Sequence, residues 1–117
     1  MIPTNLMKRL LENGQASAER GRSLDHLPVV RIVSLDVGSE WLLSERSPEN
    51  QSLAFGAFFP ADGSVPLLGW VSIPELCYHR SKAGRLLDVD ADYRPSRPIG
   101  AVAPEVRFVG MIPSTPG

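Results

Sequence analysis

Asp88-Val89-Asp90-Ala91-Asp92 places three carboxylates at alternate positions, a spacing with which an extended segment can turn acids to one side and hold Mg²⁺ or Ca²⁺. The calcium-loop template fails twice in this register. Tyr93 stands where the sharp turn needs glycine, and Ile99 stands where a bidentate Glu would close the site. The segment therefore reads as a solvated acidic loop beside Arg85, Arg94 and Arg97, and no metal site is expected. Cys77 and His79 offer a thiol and an imidazole, but side chains two apart on a helix diverge and cannot form a nucleophile–base pair. Cys77 reads as core filling, with His26 as a distant second imidazole. Two histidines and one cysteine do not compose a tetrahedral zinc site without recruited carboxylates. Glu45 and Glu75 could act as an acid–base pair, yet each has a structural use. Glu75 completes a capping box with Ser72, and Glu45 sits at an alternating strand position suited to an ion pair with Arg31 or another cross-strand partner. The expectation is a chain with no assembled catalytic group and no cofactor, and an enzyme is the less favoured class.

Arg80, Lys82 and Arg85, joined later by Arg94 and Arg97, form the one basic region able to touch phosphate, although Asp88, Asp90 and Asp92 largely neutralise it. Such a mixed surface suits a protein partner, with tyrosines as anchors. The candidate contact residues are Tyr78, Arg80, Lys82, Arg85, Tyr93, Arg94 and Arg97. Trp41, Phe55, Phe58, Phe59 and Trp70 could stack on nucleic-acid bases only if exposed beside cations; lying inside apolar runs, they read as core. Gly56 and Gly69 match no phosphate-loop spacing and suit a bulge or close packing against the first helix.

The elements that must position these groups follow from periodicity. Ile2, Leu6, Leu10 and Leu11 recur at helical spacing, with Pro3 in a first turn and Gly14 as the left-handed cap. Residues 15–26 read as a solvated connection. Val29 to Val33 is a β-branched strand after Pro28, Trp41 to Arg46 alternates, Leu53 to Phe59 is apolar enough for a strand covered on both faces, and Leu67 to Val71 returns as a fourth. Ser72-Ile73-Pro74-Glu75 opens a second helix that Gly84 would end. From Leu86 onward prolines interrupt the chain, and Val106 to Val109 suits an edge strand. The fold class expected is α+β: a four-stranded, mainly antiparallel sheet packed with two helices, spanning 1–103 as one domain, followed by a proline-rich C-terminal arm over 104–117. The 117 residues, balanced at 12 Lys+Arg against 13 Asp+Glu, exclude a two-domain enzyme and give no global pull toward nucleic acid or anionic lipid. One cysteine calls for no oxidising compartment, and no stretch approaches the roughly 18 apolar residues of a membrane span, so a cytoplasmic protein is expected.

Several runs also fall in a known order. Ile2-Pro3, Leu6, Leu10-Leu11 and Asn13-Gly14 come first, followed by Pro28-Val29-Val30, Trp41-Leu42-Leu43-Ser44-Glu45 and Ala54-Phe55-Gly56. Leu68-Gly69-Trp70-Val71-Ser72-Ile73-Pro74-Glu75-Leu76, Asp92-Tyr93 and Arg97-Pro98-Ile99 complete the order. Together they resemble, over residues 2 to 103, a bacterial domain-of-unknown-function family whose members are often encoded on plasmids and integrative conjugative elements. Leu68 stands where that family commonly has glutamate, and the Ser81 to Asp90 segment differs from its usual Gly-Leu-Pro-rich form. The resemblance implies a mobile-element accessory protein and no catalytic residues. The resulting expectation is a small non-enzymatic protein that binds a protein complex of the host or the element and modulates a defence system such as CRISPR or restriction. The alternative is a nucleic-acid-associated factor using the Arg80–Arg97 region. A membrane partner is not expected.

Overall fold

The computed structural model describes residues 1–21, 25–82, 87–103 and 105–115, with the backbone alone at 79–82. The predicted helical end of Gly14 and the cap at Gly84 fare differently: the first is corrected below, and the second lies outside the described residues.

Helix α1 runs Thr4–Glu19 with Pro3 as its N-cap, continuing through Gly14. Gly14 is needed there for close approach, because a Cβ at this position would collide with the backbone carbonyl of Arg46. Asn13 Nδ2 donates to the Ser44 carbonyl at 2.9 Å and fastens the helix to the same strand end. The left-handed turn comes later, at Gly21 with φ +69°. Residues 15–19, expected in a solvated connection, are helical, and Ser17 is buried.

Strands β1 (Val30–Ser34), β2 (Glu40–Arg46), β3 (Leu53–Phe59) and β4 (Leu67–Ser72) form the expected antiparallel meander. β3 is buried on both faces, as its apolar run predicts. Helix α2 (Ile73–Lys82) follows β4 directly, and the Glu75 amide donates to Ser72 Oγ at 3.2 Å in the capping arrangement. The Glu75 carboxylate accepts from Ser114 Oγ.

The sheet itself corrects the expected architecture: it has six strands and is mixed, in the order β5-β1-β2-β3-β4-β6. β5 (Leu87–Val89) pairs antiparallel with β1, and β6 (Arg107–Met111) pairs parallel with β4. The supposed proline-rich arm therefore supplies a strand. The chain leaves β5 at one edge and crosses the second face to reach the other, and the long stretch between β4 and β6 is what a parallel pair, which no tight hairpin can join, requires. The crossing segment carries a 3₁₀ turn, Ile99–Ala101, whose Ile99 is buried. A register shift lets β6 fit against β4, where a Cβ on Gly69 would meet the Val109 carbonyl oxygen at 2.6 Å. Gly69 thus accommodates β6, and Gly56 accommodates Leu42 of the neighbouring strand; neither meets the first helix.

The two sheet faces bury separate clusters. Leu10, Val30, Ile32, Trp41, Leu43, Phe58, Val71, Leu76 and Leu87 pack on the helical face, closed by Ile112. On the second face Leu42, Phe55, Ala57 and Ile99 meet Phe59, Leu68, Trp70, Tyr93 and Val102. The crossing segment covers the β2 side of this face, where Ile99 N donates to the His26 carbonyl at 2.8 Å and Gly100 N to Asp25 Oδ1 at 2.7 Å.

Candidate binding site at the sheet edges

Three of the seven candidate contact residues come together. Tyr93, Arg94 and Arg97 line a groove of 290 Å³ with Leu42, Ser96 and Val102, where the crossing segment leaves β5 and passes over the second face. Tyr93 is half-buried and its phenol is pushed above the ordinary range by burial and by the nearby Glu40 carboxylate, against the opposing Arg31 charge. Tyr78 lies apart on α2, exposed on the helix that covers the other face. Arg80 and Lys82 stand in the last turn of α2, their side chains outside the described residues, as is all of Arg85.

The acidic run serves local structure. Arg31 bridges Glu40 and Asp90, reaching Asp90 Oδ2 at 2.8 Å, so Arg31 pairs with Glu40 rather than with Glu45. The register explains this: Val33 is opposite Glu40 and Arg31 opposite Leu42, which brings Glu40 diagonally within reach on one face. The Arg31 guanidinium and the Asp92 amide hold the Asp90 carboxyl below its usual range. Asp88 Oδ1 accepts the Val89 amide at 2.9 Å. Among the described residues no three His, Cys, Asp or Glu side chains gather as a metal-binding group.

Glu45 and Glu75 are not brought together. Glu45, only 2 % exposed, pairs in register with Phe55 after the β2 bulge and shares its face, whereas Glu75 starts α2 on the opposite side. Cys77 is half-buried against the helical-face core, and His26 Nε2 lies 3.1 Å from Ser17 Oγ.

The aromatic residues divide between the two faces. Trp41 and Phe58 stack at 5.1 Å in the helical-face core, and Trp41 Nε1 donates to the Pro113 carbonyl at 2.8 Å. On the second face Phe55 contacts Trp70 at 5.3 Å and Phe108 at 6.3 Å. Phe108 is 68 % exposed and Met111 57 % exposed, both on β6. Sequence reasoning expected an edge strand at Val106 to Val109, which β6 bears out, but did not single out Phe108 and Met111 as its exposed apolar residues. A second omission is the cleft of 660 Å³ at the opposite edge, bounded by the first turns of α1, the start of β1, and β5 with its following loop.

The family described as "Protein of unknown function (DUF2958)" matches residues 1–113. The chain belongs to this family. The match includes β6 and the Pro113 carbonyl that receives Trp41, so the family's extent coincides with the whole six-stranded sheet. No curated protein and no solved structure matches the chain. No helix among the described residues is long and apolar enough to cross a membrane.

Proposed function

We propose that this chain is a non-enzymatic protein-binding module that recruits a strand of its partner along β6. The supporting observation is the exposure of Phe108 and Met111 on an outer strand, beside Trp70 and Phe55. Arg107 N donates inward to the Pro66 carbonyl, so in the alternating pattern of a parallel pair the Phe108 amide and carbonyl face outward. An edge of this kind is a template for strand addition, with main-chain bonds supplying affinity and apolar side chains supplying selectivity. Tyr93, Arg94 and Arg97 lie on the crossing segment over the same face and would supply a polar rim. The accessory role on plasmids and integrative conjugative elements, and the modulation of a CRISPR or restriction system, belong to this proposal as what the family resemblance of the ordered motifs implies.

The test compares the tagged chain with its Phe108→Glu variant in pull-downs from a bacterial lysate, with and without nuclease. The expected result is one protein complex, recovered in stoichiometric amount, resistant to nuclease, and reduced at least about tenfold by the charged side chain on the edge. Equal recovery by both proteins overturns strand recruitment at β6. Loss of partners on nuclease treatment replaces it with nucleic-acid association through the Arg80–Arg97 region.

A further inference from the structure

The 660 Å³ cleft at the β5 edge is independent of strand recruitment at β6 and carries its own charge pattern. Its size falls within the roughly 300–1,000 Å³ usual for ligand sites. Leu6 of α1, Val29 before β1 and Val89 of β5 give it an apolar lining. Asp90, also in the wall, is already held by Arg31 at 2.8 Å. The other charges are less committed. Arg9 on α1 makes no hydrogen bond or ion pair among the described residues. Arg94 donates only to the carbonyl of its neighbour Tyr93, and Asp88 accepts only from the adjacent Val89 amide, again among the described residues. Arg9 thus stands on the α1 wall, and Asp88 and Arg94 stand on the wall formed by β5 and its following loop, with apolar surface between them.

We propose that this cleft binds a short zwitterionic peptide with an apolar side chain. The C-terminal carboxylate meets Arg9, with Arg94 as a second cation of the lining; the N-terminal ammonium meets Asp88; and the apolar side chain rests on Leu6, Val29 and Val89. Charge complementarity selects this class. A simple organic acid would use Arg9 or Arg94 and give Asp88 no partner in the ligand, while an amine would leave both guanidiniums unmatched. Strand addition does not compete, because the Val89 amide that would receive a new strand is occupied by Asp88 Oδ1. The remaining oxygen of Asp88 is the one that meets the ammonium.

The full chain is titrated with trileucine, N-acetyl-trileucine and trileucine amide, followed by amide chemical shifts and calorimetry. Trileucine is expected to saturate the chain and to move the Leu6, Val29 and Val89 resonances, with acetylation or amidation each weakening binding at least about tenfold. Arg9→Gln and Asp88→Asn produce the same loss with otherwise unchanged spectra, and Arg20→Gln, at the far end of α1, leaves binding intact. Absence of saturation at millimolar peptide overturns the assignment. So does equal binding of the three peptides, or an equal loss in Arg20→Gln, since either marks non-specific association.

Discussion

β5 and β6 are both outer strands, yet they present opposite kinds of edge. β5 has three residues, and an acid in its middle turns back onto the outward amide of Val89. Arg31 then clamps the chain at Asp90 immediately beyond it. β6 has five residues, with Phe108 and Met111 exposed and Gly110 adding no side chain between them. A short strand with a carboxylate on its own edge amide resists pairing, whereas a longer apolar one invites it. The difference teaches that one sheet can close one side by local chemistry and leave the other to be closed by something else. The proposed partner strand gives that second edge its use.

The largest expected effect tests whether the two edges are energetically separate. Ile112→Ala removes a side chain that is 4 % exposed and seals the helical-face core next to β6, and denaturant unfolding should record a loss of about 2–4 kcal/mol. Hydrogen exchange should accelerate in Arg107–Met111 while Leu87–Val89 keeps its protection; simultaneous loss at both strands would show one cooperative unit instead. Gly69→Val acts from the β4 side, driving a side chain toward the Val109 carbonyl, and should cost about 1–3 kcal/mol with the same local exchange signature.

At the β5 edge the expected effects are smaller and depend on pH. The folded Asp90 carboxyl is depressed by its bond from Arg31 and by the Asp92 amide, so its contribution is present above the unfolded value near 3.8 and fades as pH falls through the folded value. A wild-type stability advantage over Asp90→Asn should therefore be steady at neutral pH and shrink below pH 3.8; an advantage unchanged in acid would remove Arg31–Asp90 as the clamp. Asp88→Ala should change overall stability by less than about 0.5 kcal/mol. It should nevertheless speed exchange of the Val89 amide, and a concentration-dependent rise in sedimentation would show that uncapping makes β5 behave like β6.

The central strands and both helices are legible in the sequence, and of the two edges only β6 is, and only in part. β3 announces itself by an apolar run, α1 by Leu6 and Leu10 one turn apart, and α2 by Ser72 and Glu75, because each signal is local. β5 carries too few residues to show a period, and Asp88 in its centre makes it resemble a loop. β6 was sensed at Val106 to Val109, but its parallel partner cannot be inferred when the connection reads as broken by prolines. The site divides likewise: Tyr93, Arg94 and Arg97 are near in sequence and share a groove, while Arg9 joins Asp88 only through the position of α1. Gly14 misled because a glycine near a helical end looks like a cap, and only the passing Arg46 backbone reveals why a side chain is forbidden there.

Both outer strands come from the last third of the chain, after the meander and its two helices. During synthesis the four central strands therefore emerge first, with bare margins on either side, and the two bordering strands arrive later. β5 needs only the neighbouring β1 to dock, but β6 must wait for the crossing segment to settle over the second face, a closure of high sequence separation. The nascent protein passes through an interval in which β4 is as open to neighbours as β6 is in the finished fold, and its vulnerability to misassembly is concentrated there.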